Sequence, residues 1–135
     1  MAAHDPVPNT HRAIDTDLCG RPIAIEPGGS TVELLLTECM QADARGLVHG
    51  GFIFGAADFA AMLAVNEPTV VLGSAQVGFL KPSRVGERLR FVAKVTLSKG
   101  RRHEVEVNGT NAAGETVFSG TFKCVVPETH VLGES

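Results

Sequence analysis

A long apolar segment dominates the hydrophobic pattern of the chain. From Phe52 to Val65 the only ionisable side chain is Asp58. A helix that is apolar on every side must be buried on every side, and this segment is too short to cross a bilayer. We therefore predict a buried central helix over residues 51–66. It ends at Asn66-Glu67-Pro68, because the residue before a proline is disfavoured in the α region.

On both sides of this helix the pattern has a period of two, which is typical of half-buried antiparallel strands. The predicted strands cover residues 21–26, 31–39, 69–80, 87–99, 101–110 and 115–126, with turns at 27–29, 81–86, 100 and 112–114. The alternation is clearest in residues 87–99. The positions predicted to face inward are Leu89, Phe91, Ala93, Val95, Leu97, Val105, Val107, Phe118, Phe122, Cys124 and Val126.

An antiparallel sheet with one apolar face, curled round one apolar helix, satisfies both kinds of element. The predicted class is therefore α+β, with one domain over residues 14–127. A flexible N-terminal tail is expected over residues 1–13 and a C-terminal tail over residues 128–135. One sheet does not cover a helix of this length completely, so part of the helix is expected to meet a second copy across a two-fold axis.

Composition narrows the class of protein. The 135 residues are 44% hydrophobic and 20% charged, as in an ordinary soluble domain. A net charge of −3 argues against nucleic acid and anionic membranes as partners. The first residues contain no basic segment followed by an apolar one, so we expect no signal peptide and a cytoplasmic protein. Three cysteines without a Cys-x-x-Cys spacing predict neither a zinc site nor a disulfide framework.

Gly50 and Gly51 stand where the predicted helix begins. The first amides of a helix lack an intrahelical partner and lie at the positive end of the helix dipole. A carbonyl oxygen bound there would be stabilised as it gained negative charge, as in an oxyanion hole. Alternatively, the two glycines only allow a tight entry from the loop into the helix.

Asp58 lies about two turns into the helix. An apolar setting raises the pKa of a carboxyl group and makes the ionised group a stronger base, suited to activating water or attacking a carbon. The alternative is a structural carboxylate bonded to amides of a neighbouring strand. His49 is a candidate either for capping the helix or for contacting a substrate.

Two further sets of polar residues are candidates for a site. Ser74 shares one face of its strand with Gln76, and either side chain is suited to orienting a water molecule. Basic residues at strand ends and turns are suited to binding phosphate, although a solvated surface would also explain them. They are Lys81, Arg84, Lys99, Arg101 and Arg102.

These residues resemble the motif of a known family. The sequence Gly46-Leu47-Val48-His49-Gly50-Gly51, followed after six residues by Asp58, is similar to that of the hotdog-fold acyl-CoA thioesterases. Their phenylacetyl-CoA thioesterase branch has the pattern Asn-x-x-Gly-x-x-His-Gly-Gly-x6-Asp. Segments 82–87 and 115–120 also resemble this family, and the likeness extends over residues 20–126.

The resemblance implies a hotdog fold, a homodimer that assembles further to a tetramer, and hydrolysis of an acyl-CoA to a free acid and CoA. In that family the site lies between two chains. The Gly50 amide, next to Gly51, would polarise the thioester carbonyl, Asp58 of the partner chain would activate water, and His49 would assist. Phosphates of the substrate would meet a basic rim formed by Lys81, Arg84, Arg101 and Arg102. The resemblance implies no metal and no bound cofactor.

One position departs from the family pattern, because Asp43 stands where the pattern has asparagine. An amide donates to an oxyanion, whereas an ionised carboxylate repels it. Asp43 would then hold the loop, cap the helix or serve as a second acid–base group. A second hypothesis is therefore a non-catalytic acyl-CoA-binding module, similar to the malonyl-CoA-sensing domain of a bacterial lipid-synthesis repressor. A hotdog dehydratase or hydratase ranks last, since its Asp–His or His–Glu motifs are not found.

Overall fold

The computed structural model describes residues 7–133. Six strands form one antiparallel sheet in the order β1-β2-β4-β5-β6-β3. Their bounds are β1 Arg21–Glu26, β2 Gly29–Leu35, β3 Val71–Phe79, β4 Arg88–Lys99, β5 Arg102–Thr110 and β6 Thr116–Val125. The helices are α1 Thr16–Cys19, a 3-10 turn Glu38–Met40 and α2 Gly50–Val65. This arrangement confirms the predicted α+β hotdog fold.

The central helix α2 packs against all six strands of the sheet. Its alanines let the strands approach closely, and Ala56, Ala57, Ala60 and Ala61 are fully buried. Ser30 is also buried, and its hydroxyl donates to the carbonyl of Ala60 at 2.6 Å. The predicted burial of this helix is confirmed along most of its surface.

The C-terminus of α2 ends at a specific backbone conformation. Asn66 caps the helix in the left-handed region at φ 52°, and its amide donates to the Met62 carbonyl at 2.8 Å. Asparagine adopts this conformation more readily than most residues because its short side chain bonds locally. The Asn66 side chain also accepts from the Asn9 amide at 2.8 Å.

Part of the segment expected to be a tail contacts the domain. Thr10 is 5% exposed, and the ring of His11 lies 6.4 Å from that of Phe59 on α2. Residues 1–6 and 134–135 of the expected tails lie outside the described residues.

The predicted strand over residues 31–39 is too long. Strand β2 ends at Leu35, and a 3-10 turn follows at Glu38–Met40. Leu36 continues the apolar alternation and is buried, but it bonds to the segment before β4 instead of to the sheet ladder. Its amide donates to the Glu87 carbonyl at 2.9 Å, and its carbonyl accepts from Gly86 at 2.7 Å.

The inward position predicted for Leu97 is wrong. A bulge between Val95 and Leu97 changes the phase of β4, so Leu97 pairs with the outward-facing Glu104 and is 53% exposed. Of the other predicted inward residues, Val95 and Val126 are half-buried and the rest are fully buried.

Replacing Leu89 and Leu97 separately by alanine tests this phase change. Leu89→Ala should lower the free energy of unfolding by about 2–5 kcal/mol, because it leaves a cavity in the core. Leu97→Ala on the same strand should change it by less than about 0.5 kcal/mol, since the side chain is exposed. Urea unfolding measures both, and losses of equal size would show that Leu97 faces inward.

Candidate active site

One face of α2 is left open by the sheet and forms a groove. The groove has a volume of about 430 Å³ and is lined by Gly50, Gly51, Phe54, Gly55, Asp58, Val77 and Phe79. A Cβ atom at Gly55 would meet nothing within 4 Å, so space remains beside Asp58. The groove therefore contains both chemical features predicted for the helix, the free amides at its start and its single carboxylate.

The start of α2 is held by two loops. The His49 amide donates to the Met40 carbonyl at 2.9 Å, and the Val48 amide donates to the Ser83 carbonyl at 2.9 Å. Within residues 7–133, neither the Gly50 nor the Gly51 amide donates a hydrogen bond. These amides are therefore available to an oxygen placed in the groove.

Aromatic rings leave little room for a side chain at either glycine. A Cβ atom at Gly51 would lie 3.0 Å from the ring of His49, and one at Gly50 would lie 3.3 Å from the ring of Phe79. The two aromatic rings thus flank the exposed amides. The His49 side chain makes no capping hydrogen bond, so the capping alternative does not hold, and the ring packs edge-on against Phe52 at 6.2 Å.

The carboxylate of Asp58 is buried without a group that offsets its charge. Its Oδ1 atom is buried and has no hydrogen-bond partner, and no ion pair involves the residue within residues 7–133. Loss of hydration raises the pKa of Asp58 to about 6. Bonds to strand amides, which the structural alternative required, are not formed. Above pH 6 the group is therefore suited to accept a proton.

The two features lie at different heights along the helix. Asp58 lies eight positions after Gly50, which is about 12 Å along an α-helix. A hydrogen bond spans about 3 Å. This separation favours a site in which the two groups come from different copies of the chain.

Asp43 lies outside the groove and holds the loop that leads into α2. Its Oδ1 atom accepts from the Arg45 amide at 2.9 Å and from the Leu47 amide at 3.2 Å. Of the roles considered for Asp43, the structure shows the one in which its carboxylate holds the loop.

Ser74 also lies outside the groove. It is exposed and pairs with Lys123 in the sheet register. It shares a strand face with Gln76, which lines a depression on the outer surface of the sheet with Asn108 and Thr121. Within one chain, Ser74 and Asp58 therefore lie on different surfaces.

The four basic residues predicted to bind phosphate form two groups. Lys81 and Arg84 line a cavity near the start of α2, whereas Arg101 and Arg102 lie at the turn between β4 and β5. Strand β6 runs between these two places, so they are about 25 Å apart within one chain. Lys81 is paired with Glu115, and Arg101 with Glu128.

Arg45 lines the same cavity as Lys81 and Arg84, and sequence reasoning overlooked it. A signal was present, because Arg45 lies in the polar loop directly before the His49-Gly50-Gly51 motif.

Residues 7–133 contain no group of three His, Cys, Asp or Glu side chains placed to hold a metal ion. None of the helices in this part of the chain is both long and apolar enough to span a membrane.

Comparison with known proteins relates the chain to one family. Residues 45–118, more than half of the chain, match the family model of the thioesterase superfamily. The uncharacterized protein PH1136 of Pyrococcus horikoshii has 49% sequence identity and a TM-score of 0.92. That match covers 96% of this chain and all of PH1136.

Two curated relatives are longer proteins. Methylthioribose-1-phosphate isomerase of Aquifex aeolicus is 47% identical over 84% of this chain, which spans only 25% of that protein. Transcription factor FapR of Caldanaerobacter subterraneus is 27% identical over 88% of this chain, which spans 60% of that protein. The chain thus corresponds to part of each of these relatives.

The uncompensated carboxylate predicts that Asp58→Asn stabilises the fold. The pKa of Asp58 is raised from 3.8 to about 6 on folding, so the stability present at low pH is lost as the pH rises through that window. At pH 8 the free energy of unfolding of Asp58→Asn should exceed that of the parent by about 1–2 kcal/mol, after discounting for partial exposure, and the variant should melt at a higher temperature. Thermal melts should show the gain shrinking from pH 7 towards pH 4. A difference independent of pH would contradict the assignment.

The loop contacts of Asp43 predict that Asp43→Asn and Asp43→Ala differ in stability. Asp43→Asn keeps the oxygen that accepts both amides and should leave stability nearly unchanged. Asp43→Ala leaves the amides of Arg45 and Leu47 without that partner and should cost about 1–2 kcal/mol. Urea unfolding of the two variants measures this, and equal stabilities would show that the loop does not depend on the carboxylate.

Proposed function

Since the chain belongs to the thioesterase superfamily, we propose that it hydrolyses the thioester bond of an acyl-CoA to a free acid and CoA. The observation that carries this proposal is the groove in which free helix amides and an uncompensated carboxylate occur together. An electrophilic carbonyl needs the first of these features, and a water nucleophile needs the second. No metal ion or cofactor is required for this chemistry.

The proposed reaction uses two copies of the chain. The thioester carbonyl oxygen accepts a hydrogen bond from the Gly50 amide of one copy, with Gly51 beside it. Asp58 of the other copy takes a proton from water as the water oxygen bonds to the carbonyl carbon. The tetrahedral intermediate then expels the CoA thiolate, which takes the proton from Asp58. His49 flanks the amides and contacts the carbonyl or the sulfur.

Exposed apolar groups around the groove support a homodimer. Phe79, the last residue of β3, is 52% exposed, and Leu80 directly after it is 57% exposed. Strand β3 is an edge strand of the sheet. An unpaired edge strand with exposed apolar residues is a surface that a second chain covers. A two-fold axis there would bring Asp58 of one copy to Gly50 of the other, and further pairing of dimers gives a tetramer.

A second candidate function is acyl-CoA binding without turnover. Its support is the similarity to a transcription factor together with the replacement of the family asparagine by Asp43. In that case acyl-CoA raises the melting temperature, but no thiol is released.

Ser74 and Asp43 have no role in the reaction proposed for hydrolysis.

Purified protein should release CoA from members of an acyl-CoA panel, measured with a thiol-trapping dye. Asp58→Asn should lower kcat by about 100-fold or more, because it removes the general base. In the parent protein kcat/KM should rise with pH through about pH 6, as Asp58 ionises. Thermal melts of the variant establish that it is folded. Unchanged turnover in folded Asp58→Asn would reject this mechanism.

Two inactive variants test whether the site is shared between chains. Gly50→Pro removes the amide hydrogen at the first helical position, where proline is well accepted, and Gly50→Ala keeps it as the control for added bulk. Gly50→Pro and Asp58→Asn should each be inactive. After mixing and subunit exchange they should recover about a quarter of the parent activity, since half of the dimers then contain one intact site. No recovery despite confirmed exchange would place both groups in one chain.

A further inference from the structure

The N-terminal part of the described chain lies along α2. Residues 9–14, here called the strap, run antiparallel to the helix over about two turns. At one end the Asn9 amide donates to the side chain of Asn66, and further along the ring of His11 lies 6.4 Å from that of Phe59. Thr10 is buried between these two contacts. The strap therefore packs on the helix and is part of the domain.

The side chain of His11 fixes the strap on α2. The backbone of this residue has a left-handed φ of 53°, which few residues other than glycine adopt. Its Nδ1 atom lies 2.8 Å from the Thr10 hydroxyl. Burial lowers the pKa of the ring, so His11 is neutral at pH 7 and packs on Phe59 without burying a charge. Contacts of the side chain thus hold a backbone conformation that is unfavourable by itself.

Asp58 lies on α2 between the sheet and the strap. Phe54 is about 40° from Asp58 round the helix and packs edge-on against Phe122 of β6, the neighbour of β3. Phe59, which the strap contacts, is about 100° from Asp58 in the opposite direction. The carboxylate therefore has strand β3 on one side and the strap on the other.

The strap continues into α1, whose last residue lies near Asp58. Asp15 caps α1 by accepting from the amides of Asp17 and Leu18, and the short helix packs against α2. Burial, together with the charges of Asp15 and Asp58, raises the pKa of the Cys19 thiol. Cys19 is thus within electrostatic reach of Asp58. The strap and α1 together form a wall beside the carboxylate, opposite β3.

The groups that face Asp58 carry no charge that offsets its own. Neither α2 nor β3 contains another ionisable residue. Of the ionisable residues in the six strands, His103 and Cys124 lie on the inner face, where His103 contacts the Ser98 hydroxyl. Burial and the charge of Asp58 raise the pKa of Cys124 to about 12, so its thiol is neutral. The charged residues of the strap and α1 are exposed: Arg12, Asp15 and Asp17.

Exclusion of water is therefore the cause of the raised pKa of Asp58. Each wall that keeps water from the carboxylate contributes to this effect. Loss of one wall should let water reach the carboxylate and make it a weaker base.

We propose that the strap, held in place by His11, keeps water from Asp58 and so sets the strength of the base in the active site. The proposal rests on the thioesterase function above for its role in catalysis, and it deepens that function by assigning the element that tunes Asp58. His11 is a positioning residue, because it acts through the strap and Phe59 and does not contact the substrate.

Titration of Asp58 tests the proposal without any substrate. Carbon-13 NMR of the carboxyl group follows its ionisation, and Asp58→Asn assigns the signal. Burial raises the pKa from 3.8 to about 6, which is about 100-fold in the acid dissociation constant. His11→Asn accepts the left-handed backbone but removes the ring, and it should raise this constant about 10-fold, since the strap is one of two walls.

Two further variants separate the role of the ring from other effects. His11→Phe restores an uncharged ring and should keep the parent value. His130→Asn is the matched control, because it makes the same replacement at an exposed histidine. Ile14→Ala, which loosens the strap at its other end, should change the Asp58 titration in the same direction as His11→Asn.

In the enzyme assay, the rise of kcat/KM through about pH 6 should move to lower pH in His11→Asn and stay in place in His11→Phe. Thermal melts establish that each variant is folded. An Asp58 titration that neither His11→Asn nor Ile14→Ala changes would overturn the proposal, as would equal changes in His11→Phe or His130→Asn. If the parent releases no CoA, the thioesterase function fails by itself, and the NMR titration still decides whether the strap excludes water from Asp58.

Discussion

The burial of one apolar helix is the constraint on which the rest of this structure depends. Helix α2 contains a single ionisable residue, so almost its whole surface must be removed from water. Small side chains such as Ala57 and Ala60 let the strands approach, and Ser30 satisfies one helix carbonyl in the process. The sheet covers most of the helix and leaves one stripe open.

That open stripe explains why the candidate chemistry lies where it does. Val77 and Phe79 of β3 form one wall of this stripe but do not cover it, so the amides of Gly50 and Gly51 and the space beside Asp58 stay accessible to a ligand. The low polarity around Asp58 weakens the fold and strengthens the base through the same physical effect, the loss of hydration. Stability is thus given up at the position where reactivity is proposed.

The loops around the start of α2 have a separate task. Backbone bonds from Val48 to Ser83 and from Val85 to Gly46 join the loop before the helix to the segment before β4. Asp43 stiffens the first of these loops from within. These bonds place the free amides on one side of the joined loops and the cavity lined by Arg45 and Arg84 on the other.

The sequence by itself determined the central helix, six strands and their order along the chain, because period and punctuation are local properties of a polypeptide. It also singled out Gly50, Gly51 and Asp58, since a lone carboxylate in an apolar helix is visible without coordinates. Tertiary structure decided what depends on residues distant in sequence. The bulge at Val95–Leu97 turned Leu97 outward, Asp43 turned to its own loop, and the basic residues were divided between the two ends of β6. The bridge from Leu47 to Arg84 brought the loop of Arg45 beside Arg84, so that both arginines line one cavity. Pairing registers of this kind follow from long-range contacts, which a local pattern does not encode.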